Sequence, residues 1–485
     1  MKTLRICIFI ILLQFLMVVS ITYAEVEFST ELFLELAESI NDIPYIETPD
    51  YKRIELENGM IVYLAEDKDL PVVEIRGYIK GGISQESPEQ AGISSIMSSM
   101  MNLGTKNYNE FELSRYKELN GLSFNLLPSY DHYVFSGNSL SIDKEKLIAL
   151  TAEILRNPEF EADYYNRIIQ EFYQLLVQQY YYDSSLLTMF FSTSLYGDHP
   201  YGYSDNISLV LSALQEMTAD KLERYYQESI DPSNIIMIVC GDFEYDEMEG
   251  LIRESFEDWE SKGIELKEKE IVVNEGNFNR VILVNKEDAT HAKMRMGYNF
   301  YNTHFEDKTA FLMANRVFGG DFTSRLMENL RTGQGFVYGI YSSTSYNQQG
   351  GLYYVSTDVA PEYAYEIMEA VKREMLAIKE GEKAITEEEL FENVNLYNAF
   401  FPKSYKTRIS VLSELAYGIE VMGKGEDSIN DFIKEYNELT AAEVQRVFAE
   451  HTYPDRFLTV IVGRKDDILP VFEEKGVGIE LIELF

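Results

Sequence analysis

In the stretch AGISSIMSSMMNLGT, Ala91 to Thr105, Ser95, Ser98 and Ser99 follow the i, i+3, i+4 spacing that sets three side chains on one face of a helix. Two histidines and a glutamate at that spacing would bind a metal ion and take a proton from its water. Serine does neither. A neutral hydroxyl is a poor zinc ligand beside imidazole or carboxylate, and it is no general base near neutral pH. The five histidines, His132, His199, His291, His304 and His451, supply no pair at i+3 to i+5. Cys240 sits in NIIMIVCGD, an apolar run that reads as a buried strand, where a lone cysteine is small core filler rather than a nucleophile. A serine nucleophile would need a nearby base, and the serine helix offers none.

The elements that must position these groups are legible in the same way. Ile93, Ile96, Met97, Met100 and Met101 fall at i, i+3, i+4, i+7 and i+8, an apolar stripe that predicts a helix packed on a core. Upstream, KRIELENGMIVYLAED carries two strand-like runs around Asn58-Gly59, a hairpin signal, and VVEIRGYIKGG predicts a third strand. Helices are predicted near Phe111 to Leu119, Lys144 to Leu155 and Glu161 to Tyr181. Strands and helices in mixed order, with hairpins, indicate an α+β fold rather than a doubly wound one.

The pattern then repeats. TADKLERYYQESIDPSNIIMIVCGD, from Thr218, aligns without gaps with TAAEVQRVFAEHTYPDRFLTVIVGR, from Thr440, pairing Arg224 with Arg446, Glu228 with Glu450, Pro232 with Pro454 and Gly241 with Gly463. Each copy predicts a threonine-capped amphipathic helix, a proline turn and a buried strand. Two homologous halves are therefore expected, at residues 25–258 and 277–485, joined by a charged linker at 259–276.

A chain of 485 residues, 46% of them hydrophobic, is long enough for two or more domains with substantial cores. Lys2 and Arg5 precede an apolar run from Ile6 to Val19, and SITYA ends at Ala24, so residues 1–24 have the parts of a secretory signal peptide. The run is shorter than the roughly 20 residues of a membrane span. Export is expected, to a periplasm or outside the cell, with no membrane attachment after cleavage. Cleavage would remove Cys7 and leave Cys240 alone, which excludes an intrachain disulfide. The formal charge of −39, or −41 without Lys2 and Arg5, repels nucleic acid and anionic membranes and favours basic peptides or a basic partner. Thirty-five tyrosines against one tryptophan read as core and interface aromatics.

Taken in order, ENGMIVYLAEDKDLPVVEIRGYIKGG, then ESPEQAGISSIMSSMMNLGT, then the long helix and YGDHPYG, the chain resembles the pitrilysin and insulinase type of zinc peptidase, the inverzincins. It is most similar to the bacterial branch related to mitochondrial processing peptidases. The resemblance runs from about Asp50 to near the C-terminus. Active members carry H-x-x-E-H on the helix in question. With Gly92 and Gly104-Thr105 as anchors, the resemblance puts the first histidine at Ser95, the glutamate at Ser98 and the second histidine at Ser99. The third ligand, a glutamate, is expected between Tyr173 and Leu176, where the sequence reads YQLL. Glu171 lies just upstream, and one carboxylate does not hold zinc. His199, in GDHPYG, matches a family turn. No metal is expected in this chain.

In the second half, VFGGDFTSRLMENLRTGQGFVYGIYSSTSY, Val317 to Tyr346, resembles the family signature in which an arginine and a tyrosine seven residues later line the substrate chamber. Here they are Arg331 and Tyr338. The resemblance implies that Arg331 holds a substrate carbonyl and that the Tyr338 hydroxyl stabilises the oxyanion of the tetrahedral intermediate. By residue type alone, Arg331 also fits a cation in the last turn of a helix from Thr323 to Gly333, and Tyr338 a strand aromatic.

The implied fold is a pair of homologous α/β-roll halves of the processing-peptidase type, forming half of a clam-like chamber. The family includes two-chain enzymes in which one chain carries H-x-x-E-H and the other lacks it but supplies the arginine and tyrosine. By resemblance, this chain is the catalytically incomplete subunit of an exported heterodimeric zinc metallopeptidase, inactive alone, acting in peptide degradation or processing. Its expected partners are a homologous zinc-bearing chain and unfolded peptides, bound as an added strand on a sheet edge. The alternative is a stand-alone peptide-binding or scaffold protein, for which Arg331 is dispensable.

Overall fold

The structure, a computed structural model, describes residues 43–484; the predicted signal peptide lies outside them. Among the described residues no helix is long and apolar enough to cross a membrane.

The first half begins with β1 (Lys52–Glu55) and β2 (Ile61–Glu66), an antiparallel pair that turns at Asn58-Gly59 as the sequence predicts. Gly59 takes φ +85, and the Asn58 amide donates to the carbonyls of Phe256 and Trp259. Then come β3 (Val72–Lys80), α1 (Ile93–Met101), α2 (Glu110–Leu119), β4 (Ser123–Pro128), β5 (His132–Leu140), α3 (Lys144–Arg156) and α4 (Ala162–Gln179). The half closes with α5 (Asp183–Tyr196), α6 (Ile207–Glu216), α7 (Ala219–Ser229), β6 (Ile235–Gly241) and α8 (Tyr245–Phe256). Residues 260–274 carry neither helix nor strand.

The second half runs β7 (Val281–Asn285), β8 (Ala292–Phe300), α9 (Lys308–Asn315), β9 (Val337–Tyr346), β10 (Gly351–Val359), α10 (Ala364–Lys379), α11 (Glu387–Phe400) and α12 (Arg408–Glu420). It ends with α13 (Ser428–Glu438), α14 (Ala441–His451), β11 (Leu458–Gly463), α15 (Lys465–Glu474) and β12 (Glu480–Glu483). The sheets are ordered β1-β2-β6-β3-β5-β4 and β12-β7-β11-β8-β10-β9. Five strands correspond one to one in order and direction, with a parallel central pair, β2 with β6 and β7 with β11. Only the outer strand beside that pair differs. It is antiparallel β1 in one sheet and parallel β12 in the other.

The repeat seen in the sequence is the centre of this correspondence. Thr218 caps α7 by accepting the Lys221 N–H, and Thr440 caps α14 by accepting the Glu443 N–H. Each helix leads through a proline turn into the strand buried on both sides. Gly241 ends β6 at φ +146, where a Cβ would fall 2.2 Å from the carbonyl oxygen of Val72. No other residue fits there.

Both faces of β6 are covered, which is why NIIMIVCGD reads as one unbroken apolar run. Met237 and Val239 face the core of the first half. Ile236, Ile238 and Cys240 face the other way, against Ile409, Leu412, Leu415 and Ala416 of α12, a helix of the second half. The exchange is mutual. Helix α5 of the first half packs on β8 and β11, joining Ile282, Val284, Val460 and Val462 to the first core. At the end of α12, Glu420 receives Arg53 at 2.7 Å and the Tyr63 hydroxyl at 2.6 Å.

Candidate functional site

Helix α1 starts without a side-chain cap of its own, at Gly92 in the left-handed conformation. Glu86 takes that role from outside the helix. Its two carboxylate oxygens accept the N–H groups of Gly92 and Ser94, each at 2.9 Å. Its site is buried, and that burial pushes the Glu86 carboxyl up to about 7, against the opposing pull of the Ser94 hydroxyl and these N–H groups. The Ser94 hydroxyl lies 3.1 Å from both Tyr133 and Tyr225, so a buried polar chain leads from the helix start across the core. Neither Glu86 nor this chain was apparent from the sequence. The only signal was an acidic residue a few positions before a helix lacking its own cap.

The three serines stand where the i, i+3, i+4 spacing puts them, and none is arranged to bind zinc. Ser99 is exposed, and its hydroxyl donates to the Ser95 carbonyl at 2.8 Å. Ser98 is 1% exposed and its hydroxyl has no hydrogen-bond partner. Ser95 is half-buried and lines a cavity of about 370 Å³ with Phe172, Leu175, Leu176 and Val210. Of the window Tyr173 to Leu176 on α4, where the resemblance expects a third ligand, Leu175 and Leu176 line this cavity, next to Phe172. Glu171 is turned aside, 3.8 Å from Arg167. Neutral hydroxyls facing leucine and phenylalanine do not fit a zinc ion, which needs deprotonated thiolate or carboxylate, or imidazole. No step of catalysis passes through a metal held here.

At the far end of α1, Asn102 donates to the Leu126 carbonyl at 2.9 Å and accepts the Leu126 N–H at 3.0 Å. The side-chain amide imitates a neighbouring strand at that residue of β4, the last strand of its sheet.

One other cluster contains metal-ligating types. Asp307, Glu450 and His451 bring their ligand atoms within 4.8 Å of one another. Arg446 already spans both carboxylates, at 3.1 Å from Asp307 and 2.5 Å from Glu450. The His451 ring is held between Asp307 and the Tyr301 hydroxyl, both at 2.9 Å. Although burial opposes it, His451 and Arg446 hold the Asp307 carboxyl below the usual range. This is a satisfied ion-pair network at the base of α14. Among the remaining histidines, His199 is buried and joins the GDHPYG turn to the second half, 3.0 Å from the Gln349 side chain and 2.8 Å from the Lys269 carbonyl. Burial lowers its pKa below the usual imidazole value.

The second candidate group is assembled and open. The helix carrying Arg331 begins at Arg325 rather than Thr323 and widens into a π-helical turn at Met327–Gly333, placing Arg331 in its last turn. The Gly335 N–H closes on the Arg331 carbonyl at 3.1 Å, with Gly335 in the left-handed conformation, and the chain enters β9. The Arg331 guanidinium carbon lies 4.5 Å from the centre of the Phe322 ring and 5.7 Å from that of Tyr338. Tyr338 is 90% exposed. Phe322, also exposed, is a third member that the sequence comparison did not single out; nothing in its neighbours' types marked it. Among the described residues no hydrogen bond or ring contact links Arg331 or Tyr338 to the serines of α1.

Residues 61–204 match the family model "Insulinase (Peptidase family M16)", and residues 216–396 match "Peptidase M16 inactive domain". The chain is 21% identical over 396 residues to the uncharacterized zinc protease YmxG of Bacillus subtilis, covering 82% of this chain and 93% of that one. To an uncharacterized zinc protease of Mycobacterium tuberculosis it is 22% identical over 402 residues, covering 79% and 86%. Among solved structures, the peptidase M16 inactive domain from Pseudomonas fluorescens superposes with a TM-score of 0.76 at 20% identity, covering 86% of this chain and 98% of that one. A protease from Helicobacter pylori gives 0.74 at 19% identity, covering 86% and 100%. With its two matching sheets and the two family models that together span residues 61–396, apart from 205–215, the chain belongs to the insulinase-type M16 peptidase family.

Proposed function

We propose that this chain is the catalytically incomplete subunit of an exported heterodimeric zinc metallopeptidase. It supplies Arg331 and Tyr338 to the active site of a homologous partner that carries H-x-x-E-H and the zinc. The two chains each form half of a clam-like chamber around unfolded peptides, which are degraded or processed there.

The observation that carries this reading is the state of Arg331. Acidic residues outnumber basic ones 81 to 42 in the sequence, yet among the described residues no carboxylate pairs with this guanidinium. It is held by ring faces alone, so all five of its N–H donors remain available to a substrate carbonyl or carboxylate. The Tyr338 hydroxyl, on a ring left in solvent, is equally uncommitted. The α1 helix supports the same reading from the other side, because its motif positions hold no group able to bind metal or activate water.

The test is affinity purification of the tagged protein from its own cells, with companion chains identified and zinc counted. Recovery of a similar-sized chain bearing H-x-x-E-H, with zinc and peptidase activity that falls on Arg331→Ala, is the expected result. Recovery of the protein alone, zinc-free and inert, would leave a stand-alone peptide-binding or scaffold protein instead.

A further inference from the structure

We propose that the cavity beside Ser95 is a receptor for one aromatic or branched aliphatic side chain of a bound peptide, an apolar pocket in the place where a relative with the full motif would hold its metal. The inference rests on the peptide-binding part of the reading above and adds the substrate class.

The walls decide the chemistry. Phe172, Leu175, Leu176, Val210 and the Tyr182 ring supply the surface, Ser95, Ser204, Gln178 and Gln179 the polar edges, and no ionised side chain lines the cavity. A carboxylate or ammonium placed inside would lose its hydration and find no partner of opposite charge. An apolar side chain gains transfer energy for the surface it buries, and a hydroxyl at its tip meets neutral donors and acceptors. The volume, about 370 Å³, is at the small end of ligand pockets, suited to one side chain rather than an extended cofactor.

The mouth is open. Leu175 is 57% and Tyr182 53% exposed, so two of the lining residues hold apolar surface toward water. Charge then separates the candidate occupants. Small apolar metabolites with a carboxylate, and anionic lipids, are repelled by a chain of formal charge −39, whereas a peptide with basic residues is drawn to it. The far end of α1, outside the cavity, adds a reason for a side-chain anchor. Asn102, two turns along the same helix, already takes both edge groups of Leu126 on β4, so a peptide passing α1 meets no free strand edge at that residue. What α1 offers there is the pocket.

The experiment measures fluorescence anisotropy of labelled basic decapeptides, identical except for a single central Phe, Leu or Ala, on the full mature chain. Expected is binding of the Phe and Leu peptides about tenfold or more tighter than the Ala peptide. That difference should vanish in Ser95→Phe, which fills the cavity, and shrink in Leu175→Ala, an exposed change that leaves the core intact. If all three peptides bind equally well, the pocket is not the anchor although the peptide-binding reading stands. If none binds, the pocket and peptide binding by this chain alone both fail, while the two-chain reading stands or falls on the co-purified partner and its zinc. Binding of N-acetylphenylalaninamide as tightly as the Phe peptide would overturn a peptide as the occupant.

Discussion

Glu86 accepts the backbone N–H of Ser94 at 2.9 Å, within the first turn of the helix that carries the degenerate motif. Its carboxyl is raised by burial from 4.5 to about 7. The sign follows from proton counting. Between about pH 4.5 and 7 the folded chain holds a proton on Glu86 that the unfolded chain has released, so stability falls as pH rises through that window and is level above it. Glu86→Gln removes the titration. The stability of the wild-type protein relative to Glu86→Gln should therefore decline from pH 4.5 to 7, by on the order of 3 kcal/mol at most, in urea titrations of both proteins. A difference that is flat with pH would show that Glu86 is ionised throughout.

Ser98 carries a buried hydroxyl with no partner, which costs stability without return. Ser98→Ala should stabilise the protein by about 1 kcal/mol, read as a higher urea midpoint with an unchanged slope. Loss of stability would mean that the hydroxyl has a partner.

Restoring the motif alone should not restore the metal. The triple change Ser95→His, Ser98→Glu, Ser99→His rebuilds H-x-x-E-H, but α4 still presents Tyr173, Gln174, Leu175 and Leu176 where a carboxylate is needed. After dialysis, atomic absorption should find zinc well below one equivalent, and adding Leu175→Glu or Leu176→Glu should raise it. Stoichiometric zinc in the triple variant would show that the third position is filled from elsewhere.

Arg331 is held between Phe322 and Tyr338 by ring faces, a geometry that suits a flat guanidinium better than an ammonium. In the two-chain enzyme proposed above, Arg331→Ala and Arg331→Lys should each lower kcat by about a hundredfold while leaving thermal stability within a degree or two. A fall in stability with unchanged kcat would return Arg331 to a helix-end role.

Cys240 is sealed between β6 and α12, and burial pushes its thiol up to about 12. Native protein should resist an aromatic disulfide reagent. Leu412→Ala, which removes the α12 side chain packed in that layer, should cost about 2–5 kcal/mol and make Cys240 labelling many times faster. Rapid labelling of the wild type would contradict this packing.

Local pattern carried much of the architecture. The helix stripe of α1, the Asn58-Gly59 turn and the threonine-capped repeat at Thr218 and Thr440 each depend on residues close in sequence, and each stands in the structure where the pattern put it. The serine positions followed from the same helical period. What could not be read was whatever depends on distant partners. The apolar run around Cys240 showed that both faces of β6 are covered, but not that one cover comes from residues beyond 400. Glu86 becomes notable only once burial and the N–H groups of α1 surround it. Phe322 gains meaning from a π-helical turn that returns Arg331 to its ring, and nothing in residue type announces that turn.

The mutual cover of the sheets by α5 and α12 makes the two repeats hostages of one another. Separated at residues 260–274 and produced alone, each would bare the apolar sheet face that its twin's helix occupies. A repeat with serines at Ser95, Ser98 and Ser99 is therefore still not free to be lost as a body. Selection acting only on Arg331 and Tyr338 would still hold the serine-bearing half in place, because the sheet beneath them is roofed by its α5.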